Sequence, residues 1–332
     1  MRVLVTGATG FIGGHLVCRL CTSGYAVRAL VRSRSPELER LGVEQVVGDV
    51  TRPPTLAAAV TGVRAVFHLA AVRDQWGTPP ELYHAVNVGG TRNVLAAARQ
   101  AQVKRVVYCS SVGVARYAGN LEADETLPIC RPTSQVFYHR TKAQAELMAT
   151  GAQAVVVRPV IAYGPQDASG FVTRLLKLLE RGQVFWVGDG RNHVDLVYID
   201  DLADGMCRAL ERGAEGRVYI LSSPAPIRVE VLIGEICELV GRPTPRFRLP
   251  ASLARLVGWG MEALYGAGAR LRIVTDGKEP FITRDKVATL TVDRGFSHAR
   301  AKRELGYRPR VRYDEGLRRT LAWMRAAGSI EP

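Results

Sequence analysis

The chain has 332 residues, 47% hydrophobic and 23% charged, which is room for one large α/β unit or two closely joined domains. No apolar run approaches the ~20 residues that span a bilayer. Met1 to Gly7 reads directly into a strand and a turn rather than a secretion signal, so a cytoplasmic protein is expected. Net charge is +14, and from Arg246 onward 18 Lys+Arg stand against 9 Asp+Glu. That balance suits nucleic acid, an anionic membrane surface or an anionic ligand, and a solvated basic surface explains it as well. No helix-turn-helix, zinc-finger or RNA-binding signature supports nucleic acid.

The cysteines are Cys18, Cys21, Cys109, Cys130, Cys207 and Cys237. Cys18 and Cys21 form a C-x-x-C, but no second such pair or His pair completes a zinc set. No metal is expected, and the thiols read as buried and reduced.

Arg2 to Thr6 reads as a short apolar strand, followed by a Gly-rich turn and a helix from about Ile12 to Ser23. Val27 to Val31 and Glu44 to Val47 are the next strands, and a helix over Leu56 to Val60 leads into the strand Ala65 to Leu69. A long helical pattern over Leu82 to Gln100 precedes the strand Arg105 to Ser110. Another helix, from Phe137, precedes the strand Ala154 to Arg158. Strands alternating with helices at this spacing predict an α/β protein with a doubly wound parallel sheet. After Pro159 come a helix at Phe171–Arg181, a strand at Val194–Tyr198, a helix at Asp201–Arg212 and a strand at Val218–Leu221. The remainder is helical and loop-like, interrupted at Pro243, Pro245 and Pro250. The expected organisation is a nucleotide-binding domain over 1–165 that takes later strands from about 190–222. Most of 166–332 then forms a smaller C-terminal α/β substrate lobe.

The turn Val5-Thr-Gly-Ala-Thr-Gly-Phe-Ile-Gly13 places Gly7, Gly10 and Gly13 between the first strand and the first helix. Gly7 allows the tight turn, Gly10 lets the backbone approach a pyrophosphate, and Gly13 permits close helix packing. The helix N-terminus stabilises the negative charge. Thr9, Phe11 and Ile12 belong to the same cradle. At the end of the second strand an acid would bond the adenosine 2′-hydroxyl, whereas an arginine suits a 2′-phosphate. Here Arg32-Ser-Arg34-Ser has no acid until Glu37, so NADP(H) is favoured over NAD(H). Solvent-facing arginines are the plain alternative.

Tyr138 and Lys142, in Phe-Tyr-His-Arg-Thr-Lys, are four residues apart on one helical face. A tuned proton donor and an ordinary surface pair both fit that spacing.

T-G-x-x-G-x-x-G followed by Y-x-x-x-K resembles the extended short-chain dehydrogenase/reductase superfamily, of the NAD-dependent epimerase/dehydratase type. The likeness runs across nearly the whole chain. Gly48-Asp49-Val50 resembles the adenine-side turn, and His68-Leu69-Ala70-Ala71 the strand end beneath the cofactor. Asn87-Val-Gly-Gly-Thr91 resembles the N-V-x-G-T helix, and Ser110-Ser111-Val112 the serine-bearing strand end. Arg158-Pro159-Val-Ile-Ala-Tyr163-Gly-Pro165 and the run from Val194 through Asp195 to Asp200-Asp201 resemble two later signatures. Phe281 to Val287 and Gly295 to Pro309 look like the 3β-hydroxysteroid dehydrogenase-like branch. That branch includes sterol-4-carboxylate 3-dehydrogenases and reductases of long-chain 2-alkyl-3-oxoalkanoates.

The resemblance implies a Rossmann-type sheet and a homodimer through the helices bearing Asn87 and Tyr138. It implies cofactor contacts from Asp49, Val50, Leu69, Ala70, Ala71, Tyr138, Lys142 and Pro159. Tyr138 would be the general acid/base, its phenolate favoured by Lys142 one turn away. Ser111, rather than Ser110, would orient the substrate oxygen. Asn87 would help to position Lys142, with helix N-capping as its plain alternative. Two departures weigh against sugar substrates. Ser111 is followed by Val112-Gly113 where sugar dehydratases carry Asp-Glu, and the Asn of the epimerase F-N-x-Y-G-P run is missing before Tyr163. The expected function is NADP(H)-dependent interconversion of a secondary alcohol and a ketone on a lipophilic small molecule. A nucleotide-sugar epimerase and a non-catalytic NADP-binding regulatory or assembly protein are the alternatives.

Asp189, His193 and Asp195 read as capping groups as readily as catalytic ones, and His84 and His139 read as surface residues. Between Ala251 and Tyr265, the residues Leu253, Leu256, Val257, Gly260, Met261, Leu264 and Tyr265 share one helical stripe. A helix packed on the lobe, an apolar lid and a membrane-surface helix all fit it, and Arg255, Arg270 and Arg272 suit anionic headgroups.

Overall fold

The computed structural model describes residues 1–73, 77–115, 119–129, 137–270 and 282–330. Cys130, Arg272, Phe281 and the side chain of Arg270 lie outside what it describes. The first six strands are β1 (Arg2–Thr6), β2 (Ala26–Val31), β3 (Glu44–Val47), β4 (Ala65–His68), β5 (Arg105–Cys109) and β6 (Val155–Pro159). Short strands follow: β7 (Ile161–Tyr163), β8 (Trp186–Val187), β9 (His193–Val194), β10 (Leu196–Tyr198), β11 (Val218–Leu221), β12 (Ile227–Arg228) and β13 (Arg248–Leu249). The helices are α1 (Phe11–Thr22), α2 (Pro36–Arg40), α3 (Leu56–Val60), α4 (Pro80–Tyr83), α5 (Thr91–Gln100) and α6 (Phe137–Gly151). They continue as α7 (Phe171–Glu180), α8 (Ile199–Arg212), α9 (Val229–Leu239), α10 (Ala251–Arg270), α11 (Arg284–Thr291) and α12 (Tyr313–Ala326).

Seven strands form one parallel sheet in the order β11-β6-β5-β4-β1-β2-β3. Its central strands are mostly apolar because both faces are covered, with Thr6 and His68 as buried polar exceptions at the carboxyl ends of β1 and β4. On one face Val3 and Val5 join Leu16, Val17 and Leu20 of α1 and Met206 and Leu210 of α8. On the other, Leu4 and Val66 join Leu56, Val94 and Ala98. From β1 the chain winds outward through β2 and β3, then returns to β4 on the other side. The carboxyl ends of β1 and β4 therefore flank the crevice where such sheets bind ligands.

Four local expectations change. The Leu82–Gln100 pattern is interrupted by a π-helical segment, His84–Gly90, between α4 and α5. The strand expected over Val194–Tyr198 splits at Asp195, whose carboxylate turns inward to accept from Ser223 N, Ser223 Oγ and Phe296 N. Burial raises that carboxyl to about 7. Cys18 is exposed, while Cys21, three residues on, is half-buried against the edge of the core; Cys109, Cys207 and Cys237 are buried thiols. The structure also contains α2, absent from the sequence pattern, whose start is capped by Ser35 Oγ accepting from Leu38 N.

Candidate active site

The turn after β1 is built by close approach. Gly7 has φ +73°, and a Cβ there would stand 2.8 Å from Ala70 N, so only glycine lets β1 turn against the end of β4. A Cβ on Gly13 would overlap the Gly7 carbonyl. At Gly10 the nearest atom to a Cβ is Gly7 O, at 3.3 Å. Gly10 is exposed, and it begins α1 without a side-chain cap. The N–H groups of that first turn and the bare glycine backbone fit a pyrophosphate.

A directed hydrogen-bond chain fixes the neighbouring strand end. Ala70 N donates to Thr6 Oγ1 at 3.2 Å, which lies 2.8 Å from His68 Nδ1; His68 Nε2 lies 2.9 Å from Thr91 Oγ1. Thr91 Oγ1 donates to Asn87 O at 2.6 Å, so it accepts from His68 Nε2, and His68 Nδ1 in turn accepts from Thr6. The imidazole is thus a neutral Nε2–H tautomer. Burial, and then the nearby Lys142, lower its pKa to about 3.

Asn87 sits within the π-helical segment, not at a helix start. Its Oδ1 accepts from Val72 N at 2.7 Å, and its Nδ2 donates to Val72 O and to Thr141 Oγ1, each at 3.1 Å. The side chain thus ties the loop after β4 to α6, one residue before Lys142. That geometry replaces the N-capping alternative.

One face of α6 carries the remaining groups. Lys142 is buried; its Nζ donates to Cys109 O at 2.6 Å and lies 4.3 Å from the centre of the Tyr108 ring. Burial lowers its pKa to about 8, against the opposing pull of Cys109 and Glu146. Tyr108 is pushed well above the usual phenol range, first by burial and next by Tyr138. Glu146, one turn beyond Lys142, is bound by Arg158 Nε at 3.1 Å and Nη2 at 2.5 Å, and it accepts from Ser110 Oγ. Ser110 is thereby committed to structure. Ser111 Oγ accepts from Gly113 N at 3.1 Å in the turn after β5, which leaves its own proton for another acceptor. His139 is half-buried rather than a surface residue, because its ring lies against the Gly113 backbone and beside Tyr138, at 5.6 Å between ring centres. His84 is exposed, as expected.

At the ends of β2 and β3, Arg32, Val47, Gly48, Asp49, Arg52 and Thr55 line a cleft of about 310 Å³. Burial would raise the Asp49 carboxyl, but hydrogen bonds from Thr51 and the charges of Arg32 and Arg52 outweigh it and hold the pKa low. Arg52 is a feature the sequence did not disclose. Val50 is buried beside this turn, packed against Gly90, and Leu69, Ala70 and Ala71 are half-buried past β4. Pro159 ends β6 at the same edge of the sheet. Thr9 is exposed, with Phe11 and Ile12 half-buried at the start of α1. His193 bonds Asp293 through both its backbone N and its Nδ1, at 2.8 Å, and Asp189 accepts from Arg191 N. With Asp195, these groups hold loops.

The fold and this glycine-lined crevice define a nicotinamide-dependent short-chain dehydrogenase/reductase. Residues 3–222 match the NAD dependent epimerase/dehydratase family, and the chain belongs to that family. It is similar to the 2-alkyl-3-oxoalkanoate reductase of Stenotrophomonas maltophilia, at 36% identity over 97% of this chain and 99% of the relative. It is also similar to the 3-beta-hydroxysteroid dehydrogenase of Mycolicibacterium neoaurum, at 31% identity over 97% and 91% of the two chains. Among solved structures, gox2253 superposes with a TM-score of 0.82, 33% identity and 99% coverage of both chains. UDP-glucose 4-epimerase of Thermus thermophilus, solved with NAD, shares the fold with a TM-score of 0.75, at 24% identity over 98% and 100% of the two chains.

Proposed function

We propose that the protein is an NADP(H)-dependent oxidoreductase that interconverts a secondary alcohol and a ketone on a lipophilic small molecule. The reading rests on one observation: α6 carries a buried Lys142 ammonium one helical turn from Tyr138, bonded to the carbonyl of Cys109, which ends β5 two residues before Ser111. In ketone reduction Ser111 donates to the substrate oxygen and orients it, and Tyr138 delivers its proton to that oxygen. The Lys142 charge stabilises the resulting phenolate. When bound, the nicotinamide supplies the hydride. Gly7, Gly10 and Gly13 with the α1 N-terminus would hold the pyrophosphate, Asp49 the adenine side, and Arg32 and Arg52 the 2′-phosphate. The names of the relatives, a 2-alkyl-3-oxoalkanoate reductase and a 3-beta-hydroxysteroid dehydrogenase, support an apolar substrate. Leu82 on α4 and Phe137 and Leu147 on α6 are exposed, which supports a homodimer through these helices.

NADPH oxidation with long-chain 3-oxo esters or 3-oxosteroids is the test. Turnover that Tyr138→Phe lowers by about 10²–10⁴ is expected. Turnover of UDP-sugars without turnover of these ketones would replace the proposal with an epimerase, and cofactor binding without any turnover would replace it with a regulatory role.

A further inference from the structure

Helix α10 presents its large apolar residues outward. Ala254 and Gly258 are buried, and a Cβ on Gly258 would stand 3.1 Å from the Thr283–Arg284 backbone at the start of α11. Arg284 closes that side by pairing with Glu262, at 2.7 Å. Small residues let the helix approach closely on this side, so Leu253, Leu256, Val257, Gly260 and Leu264 are left on an outward arc of roughly 100°. The packed-helix reading of the stripe is thereby reversed: only Met261 and Tyr265 of that set are half-buried. Of the fourteen large hydrophobic side chains exposed among the described residues, six fall between Phe247 and Leu264. Phe247 is 65% exposed, Leu256 62%, Trp259 57% and Leu264 69%.

The stretch that carries this face is basic between Glu238 and Glu262, the latter paired with Arg284. From Leu239 to Met261 there are four arginines, Arg242, Arg246, Arg248 and Arg255, and no acid. All four are exposed, and Arg255 stands one turn before Trp259 on the flank of the helix. A long helix with an exposed aliphatic face, a tryptophan at its margin and arginines beside it matches the physics of interfacial docking. A water-facing cluster of this size otherwise carries a solvation penalty with no return. No helix among the described residues is long and apolar enough to cross a membrane, so the contact is with a surface.

We propose that α10 and the preceding Arg246–Arg248 segment dock the protein on an anionic lipid surface. The apolar arc enters the acyl boundary, and the arginines meet the phosphate headgroups. The contact is independent of the reaction at the crevice, so it is tested without turnover. The full chain is mixed with vesicles of phosphatidylcholine alone, or of phosphatidylcholine with phosphatidylglycerol, and bound protein is measured by flotation. Binding to the anionic vesicles is expected, with the Trp259 emission shifted to the blue. Arg246→Glu/Arg255→Glu should lower the partition coefficient at least tenfold, because each reversal turns an attraction to the anionic surface into a repulsion. Leu256→Ser/Leu264→Ser should lower it comparably, with NADPH binding and thermal midpoint retained as the check on folding. Equal binding to both vesicle types, or none to either, overturns the proposal. So does unchanged vesicle binding by Leu256→Ser/Leu264→Ser together with a shift from dimer to monomer in sedimentation, which would make the face a contact between copies.

Discussion

Lys142 sets its ammonium 4.3 Å from the centre of the Tyr108 ring and donates from it to the Cys109 carbonyl. Its pKa falls from the ordinary 10.5 to about 8, because burial costs the charged form more than the neutral one. Between these two values the unfolded chain keeps a proton that the folded chain has shed, so stability rises with pH across that window. Below about pH 8 both states are protonated, and the folded state bears the full cost. Urea unfolding at about pH 7.5 and about pH 9.5 should therefore show wild type gaining roughly 2 kcal/mol relative to Lys142→Met at the higher pH. A difference that does not change with pH would mean the ammonium is not desolvated in the folded cofactor-free protein.

Behind Lys142, Glu146 and Arg158 form an ion pair sealed from water, with Ser110 as a further donor to the carboxylate. Removing one partner leaves a buried charge uncompensated, which typically costs about 3–5 kcal/mol. Glu146→Gln should lower the thermal midpoint sharply, whereas Glu146→Gln/Arg158→Met should recover most of the loss. Because the pair also anchors the face of α6 that bears Tyr138 and Lys142, turnover should fall in the single variant even where it is folded. Equal stability of the two variants would show that the pair is hydrated.

The sheet and the glycine turn were legible because their determinants are local. The strand runs, the spacing of Gly7, Gly10 and Gly13, and the i,i+4 pair on α6 each lie within a few residues. What escaped depends on contacts distant in sequence. Asp201 accepts from the backbone N–H groups of Arg310 and Val311, and Asp195 from that of Phe296, so two motifs near residue 200 work as anchors for the C-terminal segment. Arg52 reaches the Arg32 cleft only because the chain turns back after β3. Periodicity found the apolar stripe of α10 but not its direction, which Ala254 and Gly258 decide by allowing close approach.

Substitutions in the glycine turn should separate folding from the cofactor binding proposed for it. Gly7→Ala meets both a φ of +73° and a clash with Ala70, so a loss above about 1–2 kcal/mol in unfolding free energy is expected. Gly10→Ala meets only Gly7 O at 3.3 Å, in a backbone conformation that alanine adopts without strain. Its stability should stay within about 0.5 kcal/mol of wild type. The added methyl would project toward the pyrophosphate, and NADPH affinity should fall at least about tenfold, or 1.4 kcal/mol. Calorimetry of both variants with and without NADPH checks this. An unaltered Kd in a folded Gly10→Ala protein would place the pyrophosphate elsewhere.

Arg32 and Arg52 line one cleft with Asp49, so the cleft proposed for the adenine side has a net positive charge even after the carboxylate is counted. A 2′-phosphate would gain charge-assisted hydrogen bonds there, each worth about 1.5–3 kcal/mol, whereas a 2′-hydroxyl would gain little. Arg32→Ala and Arg52→Ala should each weaken NADPH binding by roughly ten- to a hundredfold and leave the NADH Kd within about twofold. The doubly substituted protein should then prefer NADH. Both arginines are exposed, so neither change should disturb the fold, and the comparison reads the cofactor contact directly. If wild type binds NADH as tightly as NADPH, these guanidinium groups serve only solvent, and Asp49 alone remains to receive the adenosine.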